Sequence, residues 1–394
     1  MVNHLGKARN VNFDVAATTK SNDAIVNSMM PYFIEKYYNP SALYQSAVKV
    51  KEEIELARKT IAESINVKPK EIIFTSGGSE SNCLAIQGWA FARLPEGKKL
   101  TIITSMIEHH SVIECVKSLE PFGVEVKYVK IKRKGYYNLQ NLATIIDSIP
   151  TRNQILMCFQ WANNEIGTIQ DIGALTRIAK KHGAYLHIDA VQAFGQIPID
   201  IAKYDGGIDS LSISGHKIHA PKGIGCLYKK TGVNLRPIIW GSQENGLRGG
   251  TENVPYIMAF KKAVEMSDIT MQNRITHVYP KYIKALMKTF DILGFKINGD
   301  RYNRLPNNLN ITFNKNVTGE AVIYMLDTAG FQISAGSACN SHLQEISPVL
   351  KAIGLTEDEA MRTVRITIPE DITPEDVFRF EKELERAIDI LTTE

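Results

Sequence analysis

The sequence predicts an α/β protein in which a large, doubly wound, mainly parallel sheet forms one domain and a smaller α+β region forms a second. Short β-rich runs alternate with helix-period segments through the first part of the chain, a pattern typical of parallel β-α-β units. The length of 394 residues also exceeds one ordinary domain. We therefore expect a large domain over 14–257 and a smaller domain made of 1–13 and 258–394.

Apolar periodicity locates the elements of the large domain. It predicts strands at Glu71–Thr75, Leu100–Thr104, Val124–Val129, Gln154–Phe159, Tyr185–Asp189 and Ile208–Ile213. It predicts helices at Ile25–Tyr37, Ser46–Ile65, Ser79–Arg93, Ser111–Leu119, Leu139–Ile149 and Ile172–His182. Ligands of doubly wound sheets bind beyond the carboxyl ends of the strands, so residues that follow these runs are candidate site residues.

The pattern changes after Asn253 to one typical of an α+β domain. A long helix is predicted at roughly 256–293. It is followed by strands at Asn308–Phe313, Phe331–Ser334 and Thr363–Ile368 and by helices at Gly319–Ala329, Ser347–Ile353 and Pro374–Leu391. Thr356 with Glu359 fits a capping box, and Thr373-Pro374 is a helix start.

Charge and cysteine usage limit the class of protein. The formal charge of +4 is spread without a basic block, so nucleic acid is not indicated as a primary ligand, although a tRNA partner stays open. The five cysteines are odd in number and lack a C-x-x-C pair, which argues against a disulfide framework and against a metal site. With no signal-peptide or membrane-spanning apolar run, we expect a soluble, cytoplasmic protein.

The stretch Leu211 to Gly225 places Lys217 between an apolar run and a glycine-rich turn. A lysine at such a junction can be held over a pocket, where partial desolvation and a neighbouring cation favour the neutral amine that forms a Schiff base with an aldehyde. Taken alone, the stretch also fits a surface lysine, so its interpretation depends on the rest of the chain.

A glycine turn joins a predicted strand to a predicted helix at Ser76-Gly77-Gly78-Ser79. Because the first helical turn leaves backbone N–H groups unpaired and glycines allow close approach, a phosphate is a suitable ligand there. The spacing matches neither the dinucleotide nor the ATP fingerprint. An ordinary strand–helix turn is the alternative.

Three polar residues lie at the end of a predicted strand or shortly after one. Asp189 ends a buried strand, where a carboxylate is costly unless a cation such as a protonated pyridine nitrogen meets it. Gln192 can donate a hydrogen bond to a ring oxygen, and His109 can stack on a flat ring and move protons near neutral pH. The alternatives are a helix-capping aspartate and a structural histidine.

A phosphate cradle, a ring-nitrogen carboxylate, a stacking histidine and a Schiff-base lysine together describe a pyridoxal phosphate site. With these motifs, the sequence resembles the cysteine desulfurases of the class V aminotransferase group, which are fold type I pyridoxal phosphate enzymes, over essentially its whole length. The matching motifs are Ala16-Ala17-Thr18-Thr19, Asn39-Pro40-Ser41, Thr75 to Asn82, Glu108-His109-His110, Asn163 to Gly167, Asp189 with Gln192, Ser214-Gly215-His216-Lys217 and Arg248 to Asn253.

The resemblance implies roles for individual residues. The cofactor would be bound by Gly78, Ser79, His109, Asn164, Asp189, Gln192, Ser214, His216, Lys217 and Thr251, with Lys217 and His109 also catalytic. The substrate would be bound by Asn39, Asn164 and Arg365, the last through a bidentate pair with its carboxylate. Thr251 would reach the phosphate of the other subunit, which implies a homodimer.

Cys339 lies in the stretch Ile333 to Ser341, where small residues surround it. A cysteine on such a loop can attack a substrate sulfur and carry a persulfide away, although buried packing is the commoner fate of a free cysteine. The resemblance implies that Cys339 is catalytic and that the chain belongs to the longer-loop branch, which serves iron–sulfur assembly and tRNA thiolation through a sulfur-acceptor protein. The other four cysteines are interpreted as packing residues.

Departures from the family pattern are Val15 for asparagine, Tyr44 for histidine, Asn245 for arginine and Pro369 for glycine. None removes a group that performs chemistry, and we also expect no C-terminal extension after Glu394. The expected reaction converts L-cysteine to L-alanine and a persulfide on Cys339. A selenocysteine lyase or another β-lyase, and a catalytically weak scaffold protein, are the two alternatives.

Overall fold

The computed structural model describes residues 9–150, 154–335 and 346–393. The strands are β1 (Val11–Asn12), β2 (Ile72–Thr75), β3 (Leu100–Ser105), β4 (Glu125–Val129), β5 (Gln154–Gln160), β6 (Tyr185–Asp189), β7 (Ser210–Ser214), β8 (Gly225–Lys229), β9 (Lys296–Ile297), β10 (Asn308–Thr312), β11 (Phe331–Gln332), β12 (Ser334–Ala335) and β13 (Thr363–Thr367). The helices are α1 (Asp23–Met29), α2 (Pro31–Ile34), α3 (Gln45–Ser64), α4 (Gly78–Arg93), α5 (His110–Lys117), α6 (Leu139–Asp147), α7 (Ile172–His182), α8 (Gln243–Gly246), α9 (Val254–Asn273), α10 (Tyr279–Ile292), α11 (Gly319–Thr328), α12 (Pro348–Ala352), α13 (Glu357–Met361) and α14 (Pro374–Thr393).

The large sheet has seven strands in the order β2-β8-β7-β6-β5-β3-β4. The strands β4, β3, β5, β6 and β7 run parallel, whereas β8 is antiparallel to both of its neighbours. Every residue of β3, β6 and β7 is buried, which is expected of parallel strands covered on both faces. The α/β class with a mainly parallel sheet is therefore confirmed.

The register brings the ends of three strands to one edge of this sheet. Gln160 of β5 pairs with Asp189 of β6, and Asp189 pairs with Ser212 of β7. His187 and Asp189 are two residues apart in β6, so their side chains leave the same face of the sheet. The carboxyl ends of β5, β6 and β7 therefore place their following loops around one crevice.

Two details of the large domain differ from the sequence-based prediction. No strand was predicted at β8, which lies between β7 and the edge strand β2. The single helix predicted at Ile25–Tyr37 is instead α1 followed by α2, with the break at Pro31. Proline lacks an N–H group and therefore starts a helix more readily than it continues one.

A smaller antiparallel sheet has the order β12-β13-β10-β9, and β1 pairs with β11 beside it. Its core is a separate cluster around Phe13, Phe331 and Phe380, whose rings pack on one another. The predicted long helix consists of α9 and α10, joined by a π-helical turn at Arg274–Val278. The capping box of Thr356 and Glu359 is present at the start of α13.

Among the described residues, two hydrophobic clusters pack around the large sheet and a separate one fills the smaller sheet. We keep the two domains, at 14–257 and at 1–13 with 258–394, as a proposal. The first part of α9, as far as Val264, and α12 nevertheless pack against the core of the large sheet. Within the described ranges, no helix combines the length and apolar character needed to cross a membrane.

Candidate active site

A cavity of about 860 Å³ lies at the edge of the large sheet where β5, β6 and β7 end. Its lining includes Gly78, Ser79, Asn82, Glu108, His109, Asn164, Glu165, Asp189, Gln192, Ser214, His216, Lys217, Ser347 and Arg365. Most of the candidate site residues therefore meet in one place, although they come from segments far apart in the sequence.

The amino end of α4 forms one wall of this cavity. Gly77, just before the helix, has a φ of +152°, which side-chain-bearing residues rarely adopt. A Cβ on Gly78 would stand 2.5 Å from Cγ2 of Val191, so only glycine fits there without a shift. The unpaired N–H groups of the first turn, together with the helix dipole, make this wall suitable for a phosphate.

Asp189 is held in a fixed orientation at the end of β6. Its Oδ2 accepts a hydrogen bond from Nδ2 of Asn82 at 2.8 Å, and its Oδ1 accepts one from the Val191 N–H at 2.9 Å. The residue is only 6% exposed. A buried carboxylate in the cavity wall is well placed to meet a cationic ring nitrogen.

His109 caps the amino end of α5 and lines the same cavity. Its Nδ1 accepts a hydrogen bond from the Ser111 N–H at 3.1 Å. Burial lowers the pKa of the imidazole below its usual value; the charges of Lys217 and His110 act in the same direction, and Asp189 opposes them. The environment therefore favours a neutral ring.

Lys217 follows β7 in a single turn of 3-10 helix. Its Nζ donates hydrogen bonds to the carbonyl oxygens of Ala16 at 2.6 Å and Ala17 at 2.8 Å. Nε2 of Gln192 also donates to the Ala16 oxygen, at 3.1 Å. The small-residue turn near the start of the chain thus lies across the amine and holds it at the cavity.

His216 stands beside Lys217, with its Nδ1 3.1 Å from Oγ1 of Thr18. Burial, with the nearby charges of Lys217 and Lys222, lowers the pKa of His216 to about 4. The ring is uncharged at neutral pH, so it can offer an anion a hydrogen bond but no positive charge.

Arg365 reaches the cavity from β13 of the smaller sheet. Its Nη2 donates to Oδ1 of Asp14 at 2.7 Å, and its Nη1 donates to the backbone oxygen of Asn164 at 2.9 Å. Its Nε is buried and has no hydrogen-bond partner among the described residues. The guanidinium is therefore oriented from one side and has an N–H left for a carboxylate ligand.

Sequence reasoning gave no role to Glu108, although this residue belongs to one of the matching motifs. Oε1 of Glu108 accepts hydrogen bonds from Oγ of Ser105 at 2.6 Å and from the hydroxyl of Tyr137 at 2.7 Å. Burial, with a smaller effect of the Asp189 charge, raises the pKa of Glu108 to about 8. The carboxyl group is thus largely protonated at neutral pH beside His109.

Glu165 and Asn82 were also missed. Oε2 of Glu165 accepts a hydrogen bond from Oγ of Ser347 at 2.5 Å, and burial raises the pKa of Glu165 to about 7. Asn82 is 1% exposed and links Asp189 to two further residues. A polar residue one helical turn beyond the glycine turn is the sequence signal that could have identified Asn82.

Three candidate residues are not part of the described cavity. Asn39 is exposed and its Oδ1 accepts a hydrogen bond from the Ser41 N–H at 2.9 Å. Thr251 is exposed on the loop after α8. Cys339 lies outside the described residues, but Ser347 and Pro348, which follow its segment, line the cavity, and Ser334, which precedes it, pairs with Arg365.

Comparison with known proteins places this chain in one family. The family model described as Aminotransferase class-V matches residues 11–380. The cysteine desulfurase IscS of Dictyoglomus turgidum is 41% identical over 389 residues, which cover 98% of this chain and 96% of that protein. The cysteine desulfurase IscS 1 of Archaeoglobus fulgidus is 40% identical over 371 residues, which cover 93% of this chain and 94% of that protein.

Solved structures agree with these relatives. The structure of a NifS-like protein has a TM-score of 0.89 and 34% identity, and the match covers 97% of this chain and 100% of that one. The structure of SspA in complex with cysteine has a TM-score of 0.80 and 37% identity, with 91% of this chain and 99% of that one covered. The chain therefore belongs to the class-V aminotransferase family and, within it, to the cysteine desulfurases.

Proposed function

We propose that this protein is a pyridoxal-phosphate-dependent cysteine desulfurase, which converts L-cysteine to L-alanine and leaves the sulfur as a persulfide on Cys339. The observation that carries the proposal is the meeting of the α4 amino end, His109, Asp189, Lys217 and Arg365 around one cavity. The similar structure of SspA in complex with cysteine supports the choice of substrate.

The described residues fit the cofactor. Gly78 leaves a space at the amino end of α4 that a Cβ would fill, which suits a phosphate. Asp189 is a buried carboxylate that accepts hydrogen bonds from two uncharged donors, Asn82 and Val191, which suits a protonated ring nitrogen. Lys217 offers a primary amine at the same cavity.

The polar groups and the ring face of the cofactor would then have partners in this chain. The phosphate would be held by Gly78, Ser79, Ser214 and His216, the ring nitrogen by Asp189, the ring oxygen by Gln192, and the ring face by His109, with Asn164 in contact beside it. When bound, pyridoxal phosphate supplies an aldehyde that joins amines and a ring that stabilises negative charge on the substrate Cα.

The chain's own residues account for binding and proton movement. Arg365 would bind the substrate carboxylate through its Nε and one Nη, since Asp14 and the Asn164 carbonyl hold the remainder of its guanidinium. The Lys217 amine would take the proton from the substrate Cα. Asn39 is exposed in the single chain and does not line the cavity. It would bind the substrate only if a further contact brought it to the cavity.

Cys339 would supply the second half of the reaction. Its thiolate attacks the sulfur of the substrate, an S–S bond forms and the substrate C–S bond breaks, so that the remainder takes up protons and leaves as L-alanine. Ser347 and Pro348, which follow its segment, line the cavity, and Ser334, which precedes it, is the strand partner of Arg365, which supports this role. A reducing cytoplasm would keep the thiol active, and the acceptor would serve iron–sulfur assembly or tRNA thiolation.

The exposed apolar surface supports a homodimer. Phe33, Leu43 and Tyr44 are 51%, 96% and 54% exposed, and Trp240 is 74% exposed on the segment before α8. In the dimer, Thr251 of one protomer would reach the phosphate of its partner.

Replacing Cys339 tests the proposal directly. We expect Cys339→Ala to bind pyridoxal phosphate with the yellow colour of the unchanged protein but to form no protein-bound persulfide on addition of L-cysteine, as measured by mass spectrometry of the intact chain. Cys83→Ala, at a half-buried cysteine outside the cavity lining, is the matched control and should retain the persulfide. A persulfide-forming Cys339→Ala variant would exclude this role of Cys339.

A further inference from the structure

We propose that Ser111 and Asn82 are positioning residues that hold His109 as a neutral imidazole with its proton on Nε2. His109 then offers Nε2–H as a hydrogen-bond donor. The meaning of this arrangement for catalysis rests on the proposed function, whereas the hydrogen bonds themselves do not.

The backbone of Ser111 determines which ring nitrogen carries the proton. Its N–H lies 3.1 Å from Nδ1 of His109, and an N–H group can only donate. Nδ1 must therefore accept, and a neutral imidazole with an accepting Nδ1 carries its proton on Nε2. The capping of α5 by the His109 side chain thus selects one tautomer.

The side chain of Ser111 acts in the same direction. Its Oγ lies 2.8 Å from Nδ1 of His109 and 2.9 Å from Nδ2 of Asn82. Since the Asn82 amide donates to Oγ, the hydroxyl hydrogen is left to donate to Nδ1. The N–H and the hydroxyl share the single lone pair of Nδ1, and this second donor makes protonation of Nδ1 still less favourable.

Asp189 fixes the orientation of the Asn82 amide. The Asn82 Nδ2 donates to Oδ2 of Asp189 at 2.8 Å, and a reversed amide would place two acceptor oxygens against each other. Oδ1 of Asn82 therefore faces Nε2 of His187 at 3.0 Å and accepts a hydrogen bond from it. Burial lowers the pKa of His187 to about 3, so this histidine is also neutral.

All the hydrogen bonds of this network consequently run in one direction. His187 donates to Asn82, Asn82 donates to both Asp189 and Ser111, and Ser111 donates to His109. The buried Asn82 amide therefore orients two groups. One is the Asp189 carboxylate, which would meet the ring nitrogen of the cofactor, and the other is the His109 imidazole, which would meet its ring face. To take up a proton at Nδ1, His109 would have to lose the hydrogen bond from the Ser111 N–H, and the Ser111 hydroxyl would have to turn from donor to acceptor.

The charged and titratable groups facing His109 do not reverse this preference. Asp189 raises its pKa, while Lys217 and His110 lower it, and the effect of burial is the largest and lowers it too. The backbone donor and the hydroxyl donor of Ser111 add to the groups that favour the neutral ring. The resting ring therefore presents Nε2–H.

Nuclear magnetic resonance of the cofactor-free protein tests this proposal. The chain has nine histidines, so the His109 resonances of ¹³C,¹⁵N-histidine-labelled protein would be assigned by their loss in His109→Gln. We expect the ring shifts of the Nε2–H tautomer at neutral pH. In Ser111→Ala, the loss of the hydroxyl donor should raise the pKa of His109 by about one unit.

Ser118→Ala is the matched control, because Ser118 adjoins the same helix but donates to the Cys115 carbonyl. It should leave the titration of His109 unchanged. An Nδ1–H tautomer in the unchanged protein would overturn the proposal, as would a Ser111→Ala titration that coincides with that of Ser118→Ala. Because no turnover is measured, a failure of the desulfurase reaction would leave this result as it stands.

Discussion

Gly78 determines how closely an anion can approach the amino end of α4. The residue lies between the helix and Val191 of the loop after β6, and a Cβ at this position would meet Cγ2 of Val191 at 2.5 Å. Valine has a stiff side chain, so the backbone of the first helical turn would have to move instead. The N–H groups that face the phosphate would move with it.

We therefore predict that Gly78→Ala weakens pyridoxal phosphate binding by about tenfold, since overpacking typically costs about 1–3 kcal/mol and about 1.4 kcal/mol is a factor of ten. Titration of the cofactor-free protein with pyridoxal phosphate, followed by absorbance, measures the affinity. The double variant Gly78→Ala with Val191→Ala removes the colliding methyl group and should recover most of it. Equal affinities of Gly78→Ala and the unchanged protein would show that the contact does not matter.

Single residues differ in how far the sequence revealed them. Lys217 and Asp189 stand at strand ends with a strong local pattern, so sequence reasoning found them. Asp14 was missed because its partner Arg365 is 351 positions away, and only the folded chain brings the two together. Asn82, in α4, was missed for a related reason, since its role depends on His187 and Asp189 in β6.

At the scale of elements, a buried ion pair fixes the loop between β8 and α9. Nη1 and Nη2 of Arg58 in α3 donate to the two carboxylate oxygens of Glu244 at 2.7 and 2.9 Å. The Phe74 N–H also donates to Glu244, at 2.9 Å. Glu244 and Asn245 have φ values of +48° and +57°, and asparagine tolerates this left-handed conformation well, which suits the departure at Asn245.

Glu244→Ala should lower the free energy of unfolding by about 3 kcal/mol, because it leaves the Arg58 charge buried and unpaired. Urea denaturation of both proteins gives the difference. Glu55→Ala removes the other acidic partner of Arg58. Because the Glu55 side chain is 54% exposed, this change should lower the free energy of unfolding by less than about 1 kcal/mol. If the two variants lose equal stability, the pair with Glu244 does not hold the loop.

Periodicity predicted most elements because it depends only on which face of a helix or strand is buried. Sequence patterns predicted β6 and α7 with their observed bounds. They missed β8 because its start, Gly225, is a glycine required for close packing, where a Cβ would be 2.4 Å from the Ile213 oxygen. They also gave one helix where Pro31 separates α1 from α2.

At the scale of the whole molecule, the exposed apolar side chains of Phe33, Leu43, Tyr44 and Trp240 predict a homodimer. Large apolar side chains left exposed in one chain are often covered in a protein interface. We expect sedimentation velocity to give twice the mass of the chain, 44.0 kDa. Replacing Leu43 and Trp240 together by aspartate should shift the protein towards the monomer and weaken cofactor binding through the loss of Thr251.

Tyr302→Asp provides the control for this change, since Tyr302 is 87% exposed and is not one of these four residues. It should remain dimeric. A protein that sediments as a monomer at micromolar concentration while binding pyridoxal phosphate normally would contradict both the interface and the role of Thr251.

The proposed reaction is tested most directly by the visible spectrum of the purified, cofactor-loaded protein before and after addition of L-cysteine, with L-alanine measured in the same sample. We predict a yellow protein whose absorption band shifts on mixing and which forms alanine in step with sulfur on Cys339. A protein that cannot take up pyridoxal phosphate, or a yellow protein that forms no alanine from L-cysteine, would contradict the desulfurase function.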